Sequence, residues 1–346
     1  MLRTMLDNLV FQNVRSFKNR QDFGIDPKQS QPVFKVTGDY NSGKSNLVRA
    51  FELLQQVVSL PNRDATTPLI TDTYNDNEDN TLFDIEFVYQ DLCYEYYLEY
   101  NAEQVIYEAL IVDQNTIFSR RKQRITGANR HLRALAMNVR PNELMLYHAQ
   151  QNNVKDAINV FNWLTTQIQI LDLTNLSDKA LETLLNKPEL KQEILDILKQ
   201  LDFQITDLDV FYNKKPVNYD KADSADLDTG NDSLLLNYLK NSQPKYKLFC
   251  NYTVNGQKVA RDVNDESTSV KAILALLINA LVGEDRLLII DNFDHYFGSK
   301  RNKILELLEQ KSSNHLLVTE TSLNNIKSDF NISKNSLGES TISLPF

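Results

Sequence analysis

The chain has 346 residues, 42% of them hydrophobic and 24% charged, with a net charge of −9. That balance belongs to an ordinary globular protein, long enough for one large domain or two modest ones, and it excludes a whole-surface electrostatic binder of nucleic acid. Two cysteines and four scattered histidines exclude a Cys-rich metal site.

No segment approaches the ~20 apolar residues that a membrane span needs. The apolar run 272–282 is broken by Asn279, and the N-terminal segment carries Asp7 and Asn8 without a small-residue cleavage site, so it does not read as a signal peptide. Cys93 and Cys250 lie in apolar, strand-like contexts and are expected to be reduced core residues. The expectation is a cytoplasmic protein without membrane attachment.

Segment 9–14 alternates as a strand, and 17–25 can pair with it. A short strand over 33–37 ends at Gly38. An amphipathic helix then runs from near Gly43 to about residue 60, where Pro61 ends it; Leu47, Phe51, Leu54 and Val58 keep the helical period. Residues 61–80 are rich in turn formers. From 81 to 121, the runs LFDIEFVY, YEYYLEY, VIYEALIV and TIFSRR predict an antiparallel meander. Helices are expected over 154–167 and 176–201, the second divided by Pro188. Strands are expected over 203–212 and 247–254, separated by a polar stretch, 214–233, with the composition of a disordered loop. The last third alternates: helix 266–282, strand 286–290, helix 300–310, strand 315–319. The fold class is α/β, read as one nucleotide-binding unit with a helical insertion: an N-terminal half over 1–150, an insertion over 151–245 and a C-terminal half over 246–346.

Between residues 115 and 142 there is no acid, yet Arg120, Arg121, Lys122, Arg124, Arg130, Arg133 and Arg140 are all present. One reading is a solvated hairpin and helix face. The other is a contact for nucleic acid or an acidic partner. If the arginines pair within the fold, the meander acids Glu86, Glu95 and Glu99 are the expected partners.

The run GDYNSGKS at 38–45 fits the phosphate-binding pattern G-x-x-x-x-G-K-[ST]. Gly38 and Gly43 allow the sharp backbone turn. The N–H groups of residues 42–45 form an anion nest at a helix N-terminus. Lys44 supplies an ammonium for the β and γ phosphates, and Ser45 a hydroxyl for Mg²⁺. The expected ligand is therefore ATP with Mg²⁺. The companion element is an acid ending a buried strand, and LLIIDNFD supplies it as Asp291.

These motifs, in this order, resemble the ABC-type AAA ATPases of bacterial abortive-infection and antiphage systems, relatives of the OLD-family and SMC-like ATPases. VFQNVRSFKN resembles the family's opening strand and turn. GDYNSGKSNLVRAF resembles its P-loop, which adds Asn41, Ser42 and Asn46 to the nucleotide-binding set. NVFNWLTTQIQILD resembles a segment leading out of the helical insertion, DESTSVKAILALL the ABC signature, LLIIDNFD the Walker B strand, and LLVTETS the strand that ends in a switch His.

The resemblance implies ATP held between two chains of a homodimer or higher oligomer, with Glu266 and Ser267 acting in trans. It also implies control of an effector such as a nuclease encoded nearby. The departures matter as much. Ser269 stands at the signature Gly position, Asn292 at the catalytic Glu and Thr321 at the switch His. Asn accepts no proton at neutral pH, so the expected chain senses ATP with slow or absent hydrolysis. Asp294 and Glu320 are the acids that could stand in as base; His295 is read as a surface residue. The alternative function is a DNA-engaging ATPase of repair or recombination type, for which no sustained heptad is present.

Overall fold

A computed structural model describes residues 5–25, 32–60, 64–212, 246–321 and 328–344. The polar stretch expected to be a disordered loop, 214–233, lies outside them. The chain divides into two units, one of residues 1–172 with 283–346 and one of residues 173–282. The expected boundaries at 150 and 245 fall inside these units. The helix Lys155–Asn162 belongs to the first unit, and the signature-like helix Thr268–Ala280 belongs to the second.

The first unit holds two sheets. One is antiparallel and seven-stranded, built from β1 (Met5–Gln12), β2 (Gln21–Gly24), β4 (Thr81–Tyr89), β5 (Leu92–Tyr100), β6 (Val105–Val112), β7 (Asn115–Arg121) and β8 (Arg124–Thr126) in the order β2-β1-β4-β5-β6-β7-β8. Its middle is the predicted meander. Strand alternation sends Tyr94, Tyr96, Leu98 and Tyr100 of β5 into the core. Cys93 is out of phase with them and exposed, which corrects the expectation of a core residue; Cys250 is buried as expected.

The second sheet places the site. Its order is β16-β15-β3-β14-β13-β9, with β3 (Val33–Gly38), β9 (Ile168–Ile170), β13 (Leu287–Ile290), β14 (His315–Thr321), β15 (Phe330–Lys334) and β16 (Ser340–Ser343). The strands from β15 to β9 are parallel, and β16 returns antiparallel. All four residues of β13 are buried, as a strand covered on both faces requires. Helix α1 (Lys44–Ser59) leaves the end of β3 and buries Leu47, Phe51, Leu54 and Val58, the stripe read from the sequence. These side chains share one apolar core with Phe83, Phe87 and Trp163. The Phe87 and Trp163 rings stack 3.8 Å apart.

The second unit packs the helices Asp178–Asn186, Pro188–Gln200 and Thr268–Ala280 with a three-stranded antiparallel sheet of β10 (Asp207–Tyr212), β11 (Tyr246–Val254) and β12 (Gln257–Asp262). Pro188 opens its helix at the first turn, where a missing N–H costs nothing. No described helix is long and apolar enough to cross a membrane.

Candidate nucleotide-binding site

The carboxyl ends of β3, β14 and β13 lie side by side, the edge at which open parallel sheets take ligands. Gly38 ends β3 and opens the loop. A Cβ there would collide with Ser42 Oγ and the Ile332 carbonyl oxygen. The turn is completed by left-handed Asn41 (φ 62°) and Gly43 (φ 116°); asparagine tolerates that region, and at 116° only glycine is comfortable. A Cβ on Gly43 would strike Ser340, whose Oγ lies 2.6 Å from the Ser42 carbonyl oxygen and 2.7 Å from Ser16 Oγ. Asn46 Nδ2 donates to that same Ser16 hydroxyl at 2.6 Å. The loop is thus clasped from behind by the N-terminal segment and the β15–β16 hairpin.

Lys44 is 6% exposed and donates its ammonium to the carbonyls of Gly38 (2.8 Å) and Asp39 (2.9 Å). Burial pulls its pKa below the ordinary lysine value, while Asp294, Asp291 and Asp39 pull it back up. The ammonium is curled back over the loop that it follows. Ser45 Oγ donates to Asp291 Oδ2 at 2.6 Å. These are two hard oxygen donors on facing elements, the ligand type that Mg²⁺ takes, so the residues present fit a cation together with a phosphate chain.

Asn292 is left-handed (φ 53°, ψ 48°), and its amide Nδ2 donates back to Asp291 Oδ2 at 3.1 Å. The two acids considered as substitute bases part ways. Asp294 Oδ2 accepts the Thr321 backbone N–H at 3.2 Å and acts electrostatically on Lys44. Glu320 is fully buried, 3.7 Å from Arg301 Nε, with neither oxygen hydrogen-bonded. Burial raises its pKa, and Arg301 and Lys35 oppose the rise. His295 is exposed, as read. A cleft of about 700 Å³ beside Asp291 and Asn292 continues past Tyr296 along Glu52, Gln55 and Ser59 of α1.

In the second unit, Ser267 caps the helix Thr268–Ala280 by accepting the Val270 N–H at 3.4 Å. Glu266 hydrogen-bonds Tyr252, and Ser269 lies in the first turn of the helix. Sequence reasoning missed Thr319, Ser16 and Ser340. Thr319 had a signal, a polar residue directly after the apolar run Leu316, Leu317, Val318 of a buried strand. The serines had none, because their contacts join segments from opposite ends of the chain.

The basic segment is not one free surface. Arg120 is 2% exposed, which corrects its reading as a solvated or partner-facing residue. It donates to the carbonyls of Lys122 (2.7 Å), Glu143 (2.6 Å) and Arg140 (2.8 Å), and its Nη1 is 3.7 Å from Glu108 Oε2. Glu108 also accepts the N–H groups of Met145 and Leu146. The partner is therefore Glu108, opposite Arg120 on the neighbouring strand, and not Glu86, Glu95 or Glu99. Arg140 pairs with Glu143. Arg121, Lys122, Arg124, Arg130 and Arg133 are exposed.

No protein-family model matches the chain, and no curated protein matches it. Solved structures do. An Smc head domain with an extended coiled coil, bound to the C-terminal domain of ScpA derived from Pyrococcus furiosus, is 10% identical over 98% of this chain and 96% of that one, with a TM-score of 0.50. The SMC head domain from Thermotoga maritima is 10% identical over 99% of each chain, with a TM-score of 0.46. The recombination mediator RecF in its ATP form is 14% identical over 95% of this chain and 97% of that one, with a TM-score of 0.45. At such identities the likeness speaks for the fold alone, a mixed α/β fold shared with the Smc head domain.

Proposed function

We propose that this chain binds ATP with Mg²⁺ on the 38–45 loop and works as a nucleotide-gated switch with slow hydrolysis. One observation carries the reading: Lys44, Ser45 and Asp291 are assembled as a binding set, while the position beside Asp291 holds an amide that donates into the carboxylate. Ser45 and Asp291 would hold the cation, which neutralises phosphate charge when bound. Lys44 and the loop N–H groups would hold the phosphates. Asn292 has no proton-accepting group to activate water.

At finer grain, the chain is a cytoplasmic regulatory subunit of an antiphage system. It closes into a homodimer around ATP, with Glu266 and Ser267 of the partner subunit completing the site, and controls a nuclease-type effector. Support for this comes from the order of motifs and from Ser267 standing at a helix N-terminus. The test is light scattering with parallel phosphate release. ATP with Mg²⁺ converts monomer to dimer and is turned over far more slowly than the ~10 per second of a median enzyme. A chain that stays monomeric with ATP, or one that hydrolyses it at tens per second, contradicts the reading.

A second reading, a DNA-engaging ATPase, is favoured by the exposed Arg121, Lys122, Arg124, Arg130 and Arg133. It requires duplex affinity that falls steeply with salt, and its failure leaves nucleotide gating untouched.

A further inference from the structure

Asp291 can serve a cation only if its carboxylate is turned correctly, and the two oxygens are held by different groups. Oδ2 accepts from Ser45 Oγ at 2.6 Å and from Asn292 Nδ2 at 3.1 Å, on the side of the loop. Oδ1 is turned to the sheet and meets the hydroxyl of Thr319 at 2.5 Å. Thr319 is fully buried on β14, the strand between the one that ends in the loop and the one that ends in Asp291.

The direction of these bonds follows from proton counting. The backbone N–H of Asn292 points at Thr319 Oγ1 from 2.9 Å and can only donate. Thr319 must accept it, which leaves its single proton for Asp291 Oδ1. One hydroxyl therefore fixes both the carboxylate of Asp291 and the left-handed backbone of the next residue. A serine would make the same two bonds. A valine would fill the same space and leave the Asn292 N–H and the inner carboxylate oxygen without this partner.

We infer that Thr319 is the positioning residue of the cation site: it locks the rotation of the Asp291 carboxylate so that Oδ2 faces Ser45. The inference rests on the proposal that ATP and Mg²⁺ bind here, and it assigns to β14 a role in cation affinity.

The experiment is a Mg²⁺ titration of the binding of a fluorescent ATP analogue, run alongside binding in excess chelator. For Thr319→Val the Mg²⁺ concentration at half-saturation rises tenfold or more. Chelator-resistant binding, which depends on Lys44 and the loop, stays at the wild-type level. Thr319→Ser restores the wild-type midpoint. A merely structural role would weaken both arms together and would not discriminate serine from valine. Should Thr319→Val fail to fold, Thr319→Cys, which keeps the volume with a weak donor, is read on the same titration. A folded Val or Cys variant with the wild-type Mg²⁺ midpoint overturns the assignment, as does a serine variant as impaired as valine. A wild-type protein that binds the analogue equally well with and without Mg²⁺ overturns the cation role and leaves nucleotide binding standing. A wild-type protein that binds no analogue overturns both.

Discussion

The Ser45 hydroxyl, in the first turn of α1, lies 2.6 Å from Asp291 Oδ2 at the end of β13, across 246 positions of sequence. The hydroxyl comes from a helix that begins at the end of the 38–45 loop, the carboxylate from a strand buried on both faces. Their meeting is fixed by β14, which pairs with β3 on one side and with β13 on the other. The same alignment places Asn292 beside the Asp291–Ser45 pair.

Replacing Asn292 by glutamate should start hydrolysis. The residue sits beside the Asp291–Ser45 pair, and a carboxylate there can accept a proton where the amide cannot. A general base contributes on the order of 10²-fold or more to rate, so phosphate release by Asn292→Glu should rise by about that factor over wild type. The left-handed backbone at φ 53° suits asparagine better than glutamate, and the variant should lose about 1 kcal/mol of stability. An unchanged rate in a folded variant would mean that position 292 does not face the attacking water.

Arg120 should prove indispensable to the fold. It lies in the core with Glu108 and three backbone carbonyls around it. Removing one partner of such a buried pair costs about 3–5 kcal/mol, because the other charge is left uncompensated. Arg120→Ala should therefore melt well below wild type, whereas Arg124→Ala, on the exposed hairpin, should melt within about 0.5 kcal/mol of it. Equal melting temperatures for the two variants would contradict the buried-pair account.

The elements with strong periodicity were legible in the sequence. The stripe Leu47, Phe51, Leu54, Val58 gave α1, and the all-apolar 287–290 gave the buried strand whose end carries Asp291. The loop residues were legible because phosphate chemistry demands glycines and a lysine at fixed spacing. Charge patterning failed at Arg120. A row of arginines without neighbouring acids looks solvated, but its partner Glu108 is supplied by register across a strand pair and its carbonyl acceptors by a later turn. The short helix Met145–Gln151 was not expected. Thr319, Ser16 and Ser340 act through contacts that only the folded chain creates.

The meander should make the protein less stable as pH rises from about 4 toward neutrality. Burial, with Glu86 nearby, pushes the Asp7 carboxyl up to about 6; burial, with Glu95 and Glu86 and against Arg20, does the same for Asp84. A carboxyl whose folded pKa exceeds its unfolded one keeps its proton longer in the native state. It therefore withdraws stability as pH climbs from about 4 through about 6, and the loss is complete above that window. Asp7→Asn and Asp84→Asn should each raise the melting temperature near pH 7.5 and raise it less near pH 4. The same increment at both pH values would show that the carboxyls are not titrating in this window.

The central claim is that the loop and Asp291 form one site for ATP with Mg²⁺, and calorimetric titration of Mg²⁺–ATP into wild type and Lys44→Ala tests it most directly. Lys44 is buried over the loop with its ammonium held on two carbonyls. A hydrogen bond to a charged group contributes about 1.5–3 kcal/mol, and every 1.4 kcal/mol is tenfold in affinity. Saturable binding by wild type, weakened at least tenfold in Lys44→Ala, is the expected result; equal affinity in the two proteins, or no binding by the folded wild type, would contradict it.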